Sequence, residues 1–534
     1  MSETDVSLET ARALRRPMFS VYRSLAGILV MLTSGCTMLG PDFVKPVTPE
    51  ETAWVNQDAQ IKTARVPQLA WWKTFNDPIL DSLIETAYRQ NLSLQVAGLR
   101  ILEARAQLGI AVGLQYPQTQ QVGGSATAVK LSENSPNYNP AADRTFRDYQ
   151  AGFDANWEID FWGRYRRGIQ SAEAGLEATV ADYDDALVSL TAEVARTYVT
   201  IRTLEERLQI AYDNIKLQQE SLRIANVRFT NGATTELDVQ QAKSNLANTQ
   251  ALVPSTLSAI HKARNALSIL LGILPSELQD ALGPPGKIPV APAEVATGIP
   301  AELLRRRPDI RRAEAQAASQ SALIGVAESD LYPRFSLLGS IGFGTSDTFD
   351  SSASDLFDAE SLQYSVGPAF SWNILNYGRL RNNVRVQDAR YQQTIMNYEN
   401  TVLAAYREVE DALVGFIQSR KESRFLGEGA RAAKRSVEIS NIQYREGAVD
   451  FQRVVDSERA LVGQQDEWTR ARGDIATNLI AMYKALGGGW ELHQGEAFIS
   501  DDNRRAMEHR TDWGGLLSPQ GQEEDAREDT TEAE

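Results

Sequence analysis

Two stretches of this chain contain no proline, 141–253 and 369–518. A proline inside a helix removes a backbone donor and clashes with the preceding turn, costing about 3 kcal/mol, so such gaps leave room for very long helices. Positions 180, 183, 187, 190, 194, 197, 201, 204, 208, 211 and 215 read Val, Tyr, Leu, Leu, Val, Thr, Ile, Leu, Leu, Ala and Ile. That is a three-four spacing held over five heptads, the seam of a coiled coil. A helix from Ile169 to Arg228 would be about 90 Å long at 1.5 Å per residue. No globular domain encloses such a helix, so the 534 residues predict an extended architecture.

The chain also repeats itself. Shifted by 215 residues, Trp157 falls on Trp372, Gly163-Arg164 on Gly378-Arg379, Gly232-Ala233 on Gly447-Ala448, and Leu271-Gly272 on Leu486-Gly487. Shifted by 216, the Tyr-Pro at 116 falls on the Tyr-Pro at 332. Each half therefore runs helix, Tyr-Pro, strand, turn, strand, Gly-Arg, long helix, glycine turn, second long helix, Leu-Gly. Four segments follow: 1–35, a signal peptide; 36–300, the N-terminal segment and first repeat; 301–490, the second repeat; and 491–534, an extension with an acidic tail.

The strand segments set the environment. In "GFDANWEIDFWGR" Phe153, Ala155, Trp157, Ile159 and Phe161 alternate with Asp154, Asn156, Glu158 and Asp160. Strands are also predicted near 120–129, 335–344 and 364–375, with Phe370, Trp372 and Ile374 on one face. Four strands cannot close a barrel, for which about eight are needed. No second sheet is available to cover their apolar faces. A membrane-spanning strand is about 9 to 11 residues long, apolar toward lipid and polar toward the lumen. On that reading Asp154, Asn156, Glu158 and Asp160 face a water-filled lumen, and closure takes several subunits. Three chains would supply twelve strands.

The N-terminus agrees with an envelope location. Arg12, Arg15, Arg16 and Arg23 precede the apolar run "LAGILVML" and then "TSGC", the order of a secretory signal and too short for a membrane span. Ser34 and Gly35 before Cys36 resemble a lipobox, which makes Cys36 the candidate lipidation site, although Thr33 stands where leucine is usual. Cys36 is the only cysteine, so no disulfide or thiolate metal site is expected. The net charge of −16 argues against a nucleic-acid partner. His261, His493 and His509 are scattered and form no metal motif, and "LGGGW" follows a helix and reads as a cap, so neither enzyme activity nor a cofactor is expected.

Four stretches, "CTMLGPDFVKP", "ELLRRRPDIRRAE" from Glu302, "DLYPRFSLLGSIGFG" from Asp330 and "YKALGGGW" from Tyr483, resemble the TolC-like outer membrane efflux proteins, in particular the lipoprotein branch similar to OprM. The resemblance implies a mainly α fold with a β-barrel: a homotrimer whose twelve-strand transmembrane barrel is continued by a long periplasmic α-helical barrel. It implies a lipid-anchored exit duct in the Gram-negative outer membrane, joined through a periplasmic adaptor to a proton-driven inner-membrane pump. It places the adaptor-docking tips at Asn231, Gly232, Ala233 and Thr234 and at Glu446, Gly447, Ala448 and Val449. It places a periplasmic aperture at Asp456, with Arg453 one turn earlier as a partly offsetting charge. A structural coiled-coil envelope lipoprotein and a type I protein-secretion duct are the alternatives.

Overall fold

The computed structural model describes residues 37–47, 54–56, 61–62, 70–134, 136, 143–292, 295–296, 306–348, 351–493 and 497–517. The signal segment, Cys36 and the acidic tail lie outside the described residues. The principal elements are β1 (Ile61–Lys62), α1 (Pro78–Gln90), α2 (Leu92–Gly113), β2 (Thr119–Lys130), β3 (Thr145–Ile159), α3 (Arg164–Thr230), α4 (Glu236–Leu271), α5 (Leu278–Leu282), β4 (Val295–Ala296), α6 (Pro308–Ser329), β5 (Arg334–Ser346), β6 (Leu362–Ser371), α7 (Arg379–Arg445), α8 (Phe451–Ala485) and α9 (Asp501–Arg510). No described helix is long and apolar enough to cross a membrane.

The repeat is close in its helix lengths. Helices α3 and α7 have 67 residues each, α2 and α6 have 22 each, and α4 and α8 have 36 and 35. Helix α4 runs on through Pro254. Gly163 and Gly378, at φ 75° and 83°, turn the chain out of each strand region into the long helix, a conformation that favours glycine.

The chain divides into two compact units. The first holds the four-stranded sheet, ordered β2-β3-β5-β6 and antiparallel throughout. Two corresponding tryptophans pin it: the Trp157 indole donates to the Gln115 carbonyl at 3.2 Å and the Trp372 indole to the Leu331 carbonyl at 3.0 Å. Each accepting residue stands two places before the proline of a Tyr-Pro pair. Strand β6 ends earlier than expected. The Ile374 amide donates to the Trp372 carbonyl at 3.1 Å, a turn that takes Trp372 and Ile374 out of the strand. The segment after Cys36 is strapped to the same unit. The Leu39 amide donates to the Trp162 carbonyl at 3.1 Å, and Arg167 donates to the carbonyls of Leu39 and Gly40.

In the second unit the motif "KALGGGW" closes α8. The amides of Gly487 and Gly488 return to the carbonyls of Lys484 and Tyr483 at 2.9 and 3.0 Å. Gly489, at φ 110°, lies so close to Thr191 and Trp71 that an added Cβ would come within 3.1 and 3.2 Å of them. Trp71 stacks on Tyr483 with ring centroids 5.4 Å apart. The motif "RRPDIRRAE" meets it there: buried Arg307 donates to the Ala485 carbonyl and pairs with Asp309 and Glu408. Arg311 and Arg312 pair with Asp184, Asp182 and Asp185 on α3.

The seam of α3 departs from its expected course. Tyr183, Leu187, Leu190, Val194, Thr197 and Ile201 are buried. Beyond them Leu204, Leu208 and Ile215 are only half-buried, and the buried stripe passes through Ala211, Asn214, Gln218, Ser221 and Ala225. A helix of 3.6 residues per turn drifts about 20° per heptad against a 3.5 repeat, which moves the contact line. The new line is polar. Asn214 donates to Gln465 at 2.8 Å, and the Glu458 carboxylate accepts from Ser221 at 2.5 Å and from Asn245 at 2.9 Å.

Glu458 is 2% exposed, and burial pushes its carboxyl above the usual range even though Ser221 and Asn245 pull the other way. Desolvation outweighs the two hydrogen bonds. A folded-state pKa above the unfolded one gives stability that is full below the ordinary glutamate range and is lost as pH rises through the raised value. Thermal unfolding of the detergent-solubilised protein should therefore show a melting temperature that falls as pH rises from 5 to 8. Glu458→Gln should flatten that dependence, while Glu458→Ala, which leaves the Asn245 side-chain amide without its acceptor, should destabilise by about 1 to 3 kcal/mol at all pH values. An unchanged slope in Glu458→Gln would show that another group sets it.

Candidate functional site

The register of the sheet lines up residues of like character in several rows, although Leu338 of β5 falls beside Asn156. Val122, Phe153, Ile341 and Tyr364 lie side by side, as do Ile159, Phe335 and Phe370. On the opposite face Gln121, Asp154, Ser340 and Ser365 form a row, with Ser340 and Ser365 hydrogen-bonded at 2.9 Å. Successive side chains of a strand point to opposite faces, so alternation along β3 has become one apolar and one polar surface. Asp154, Asn156 and Glu158 belong to the polar surface. Tyr364 and Val366 are 76% and 73% exposed in the single chain, an apolar face that no described residue covers.

Asp160 does not belong with them. The Phe161 amide donates to the Ile159 carbonyl at 2.8 Å, so the strand turns at its end. The Asp160 carboxylate then accepts from the amides of Tyr165 and Arg166 at 3.2 and 3.0 Å and pairs with the Arg166 guanidinium. It caps the start of α3, where free amides and the helix dipole favour an anion.

The two glycine turns adopt one geometry twice. Gly232 and Gly447 have φ 71° and 78°. The Ala233 amide returns to the Arg228 carbonyl and the Ala448 amide to the Gln443 carbonyl, both at 2.8 Å. This closure leaves the last helical carbonyls satisfied. Asn231, Gly232, Ala233, Glu446, Gly447 and Ala448 are exposed, while Thr234 and Val449 are half-buried. The Asn231 side-chain amide donates to the Val227 carbonyl at 2.7 Å. Beneath the turns lies a small separate core of Ile224, Ala225, Val239, Tyr444, Phe451 and Val454, against which Val449 packs.

The turns are brought together by residues that sequence reasoning passed over. Arg228 stacks its guanidinium 4.6 Å from the Tyr444 ring centroid and donates to the carbonyls of Tyr444, Arg445 and Ala233. The Tyr444 hydroxyl donates to Asp238 at 3.2 Å, and Thr234 donates to the same oxygen. Burial, with the Asp238 carboxylate beside it, pushes the Tyr444 hydroxyl up. The available signal was divergence within the repeat: Arg228, Phe229 and Asp238 correspond to Gln443, Tyr444 and Arg453.

Asp456 and Arg453 are both exposed, on the face of α8 opposite Val454, Val455 and Glu458, which are buried. Among the described residues Asp456 accepts from Gln452 at 2.8 Å, one turn earlier, and no ion pair joins it to Arg453. The expected partial offset by Arg453 is therefore not made through contact. Among the described residues no cluster of three or more His, Cys, Asp and Glu side chains forms a metal site.

The sequence matches the family model described as outer membrane efflux protein over residues 83–273 and 299–488, a doubled match in step with the internal repeat. The chain is 31% identical to the pyoverdine export outer membrane protein OpmQ of Pseudomonas putida over 80% of its own length and 90% of that protein's. It is 30% identical to the outer membrane protein OprJ of Pseudomonas aeruginosa over 90% and 97% of the two chains. Its structure resembles that of the outer-membrane channel OprN, 33% identical, with a TM-score of 0.79 over 85% of this chain and 99% of the other. With the doubled sequence match, the two-faced sheet and the paired long helices in agreement, the chain belongs to the outer membrane efflux protein family.

Proposed function

We propose that this protein is the exit duct of a tripartite efflux system, passively conducting what an inner-membrane pump and a periplasmic adaptor deliver across the outer membrane. The observation that carries this reading is the four-stranded sheet with one apolar face, one polar face and two open edges. Lipid cannot hydrogen-bond those edges, so the sheet must close on other copies. TolC-like channels are trimers, and three copies of this sheet give twelve strands, enough for a barrel with a wet interior. Asp154, Asn156 and Glu158 line that interior. The exposed turns around Gly232 and Gly447 receive the adaptor, and the pump behind it is proton-driven.

Purified protein in detergent should have the mass of a trimer and should form ion-conducting channels in a planar bilayer. A monomer that conducts, or a trimer that never does, would defeat the closure argument and favour a structural envelope protein.

Lipid attachment at Cys36 follows from the apolar run and small residues before it, and the strap through Leu39 and Gly40 holds the chain a few residues downstream. Radioactive palmitate should label the parent and not Cys36→Ser. Equal labelling of both ends the assignment.

Three copies of Asp456 around the axis of a trimer would form a ring of carboxylates at the periplasmic entrance. Such a ring attracts cations and repels anions, and Arg453, exposed on the same helix one turn earlier, partly offsets it at longer range. Asp456→Ala should raise single-channel conductance and weaken block by a trivalent cation from the periplasmic side severalfold. If both match the parent, the constriction lies elsewhere.

A further inference from the structure

The two turns of a chain belong to different repeats, end different helices and lie 215 residues apart in sequence, yet one side chain reaches both. We infer that Arg228 is a positioning residue that ties the two turns into a single rigid unit, so that a partner docking on one meets the other already in place. This rests on the reading of the turns as the adaptor contact.

Three observations support the tie. The guanidinium of Arg228 donates to the carbonyls of Tyr444 and Arg445, in the last turn of α7. Those carbonyls sit at the negative end of a long helix, where a cation is stabilised. Its other terminal nitrogen donates to the Ala233 carbonyl inside the first turn at 3.4 Å. The flat face of the group lies 4.6 Å from the centroid of Tyr444, a ring only 2% exposed and packed against Phe451.

The chemistry calls for arginine. Its planar fork can donate to two places at once while stacking on a ring, whereas an ammonium is a single point charge. The tie also runs one way. The residue that corresponds to Arg228 in the second repeat is Gln443, which is exposed. Since a preorganised surface loses less freedom on binding than two independent turns do, the tie favours a partner that needs both.

Hydrogen exchange on the intact protein tests this without an adaptor. Arg228→Ala should raise exchange by about tenfold or more in both turns, at the amides of Gly232 and Ala233 and of Gly447 and Ala448, since hydrogen bonds to charged groups are worth at least that much. The amides of α3 near Tyr198 should not change. Arg228→Lys keeps a charge beside the α7 carbonyls, and should protect the second turn while leaving the first loosened. Gln443→Ala should change neither turn.

Faster exchange in the first turn alone would reduce Arg228 to a local cap, and no change in either turn would remove it from the tips. If Tyr444→Phe loosens both turns and Arg228→Ala neither, the tie belongs to the Tyr444–Asp238 hydrogen bond. The docking reading is tested separately by Glu446→Trp, which adds bulk at an exposed position. It should abolish complementation of a host lacking the gene, read as survival on compounds to which the deletion sensitises it. Full complementation would overturn the docking reading and leave the exchange result to decide the tie.

Discussion

A strand edge in lipid has nowhere to place its hydrogen bonds, and the rest of this structure follows from that. The outer strands β2 and β6 span 12 and 10 residues and each offers one side without a partner among the described residues. In water such edges invite aggregation; in a bilayer each unpaired group costs several kcal/mol, and only closure removes the cost. Four strands are too few to close, so the sheet is an arc of a larger ring. On the proposed reading the apolar rows that run through Phe153 and Ile159 meet lipid and the row through Asp154 meets water. The same arc has to be made twice per chain, two strands at a time, which is what the repeat does.

Much of this was legible because it is periodic. Long helices show as missing prolines and a three-four spacing, and a strand shows as alternation. The position of Gly163 and Gly378 before each long helix could be found by shifting the sequence against itself. What periodicity could not show was where each period ends. Asp160 continues the alternation of β3 perfectly, but the chain turns at Ile159, and the helix that follows needs a cap more than the strand needs another carboxylate. Trp372 and Ile374 were lost from β6 for a similar reason. In both cases a turn of two residues overrides a pattern of ten.

The α3 seam shows a second limit. Extrapolating a heptad from Val180 to Ile215 chooses apolar residues, and the apolar choice is right as far as Ile201. Past that point the buried stripe includes the polar Asn214 and Ser221, whose partners Gln465 and Glu458 lie in the other repeat. Polar groups are buried only when their partners are brought to them, and a partner some 240 residues away leaves no trace in the local sequence. The ties between the turns share this property. They lie where the repeats differ: Arg228, Phe229 and Asp238 of the first correspond to Gln443, Tyr444 and Arg453 of the second.

The equal length of α3 and α7, 67 residues each, limits how this chain can change in evolution. One added residue lengthens a helix by about 1.5 Å and turns everything beyond it by about 100°, and even a whole heptad inserted in one helix would shift its turn by about 10 Å. Arg228 could then no longer reach the carbonyls of Tyr444 and Arg445. A longer or shorter duct is therefore open to this family only through paired insertions or deletions, of equal size, in both halves of the gene at once. Relatives that differ in reach should carry matched gaps about 215 positions apart.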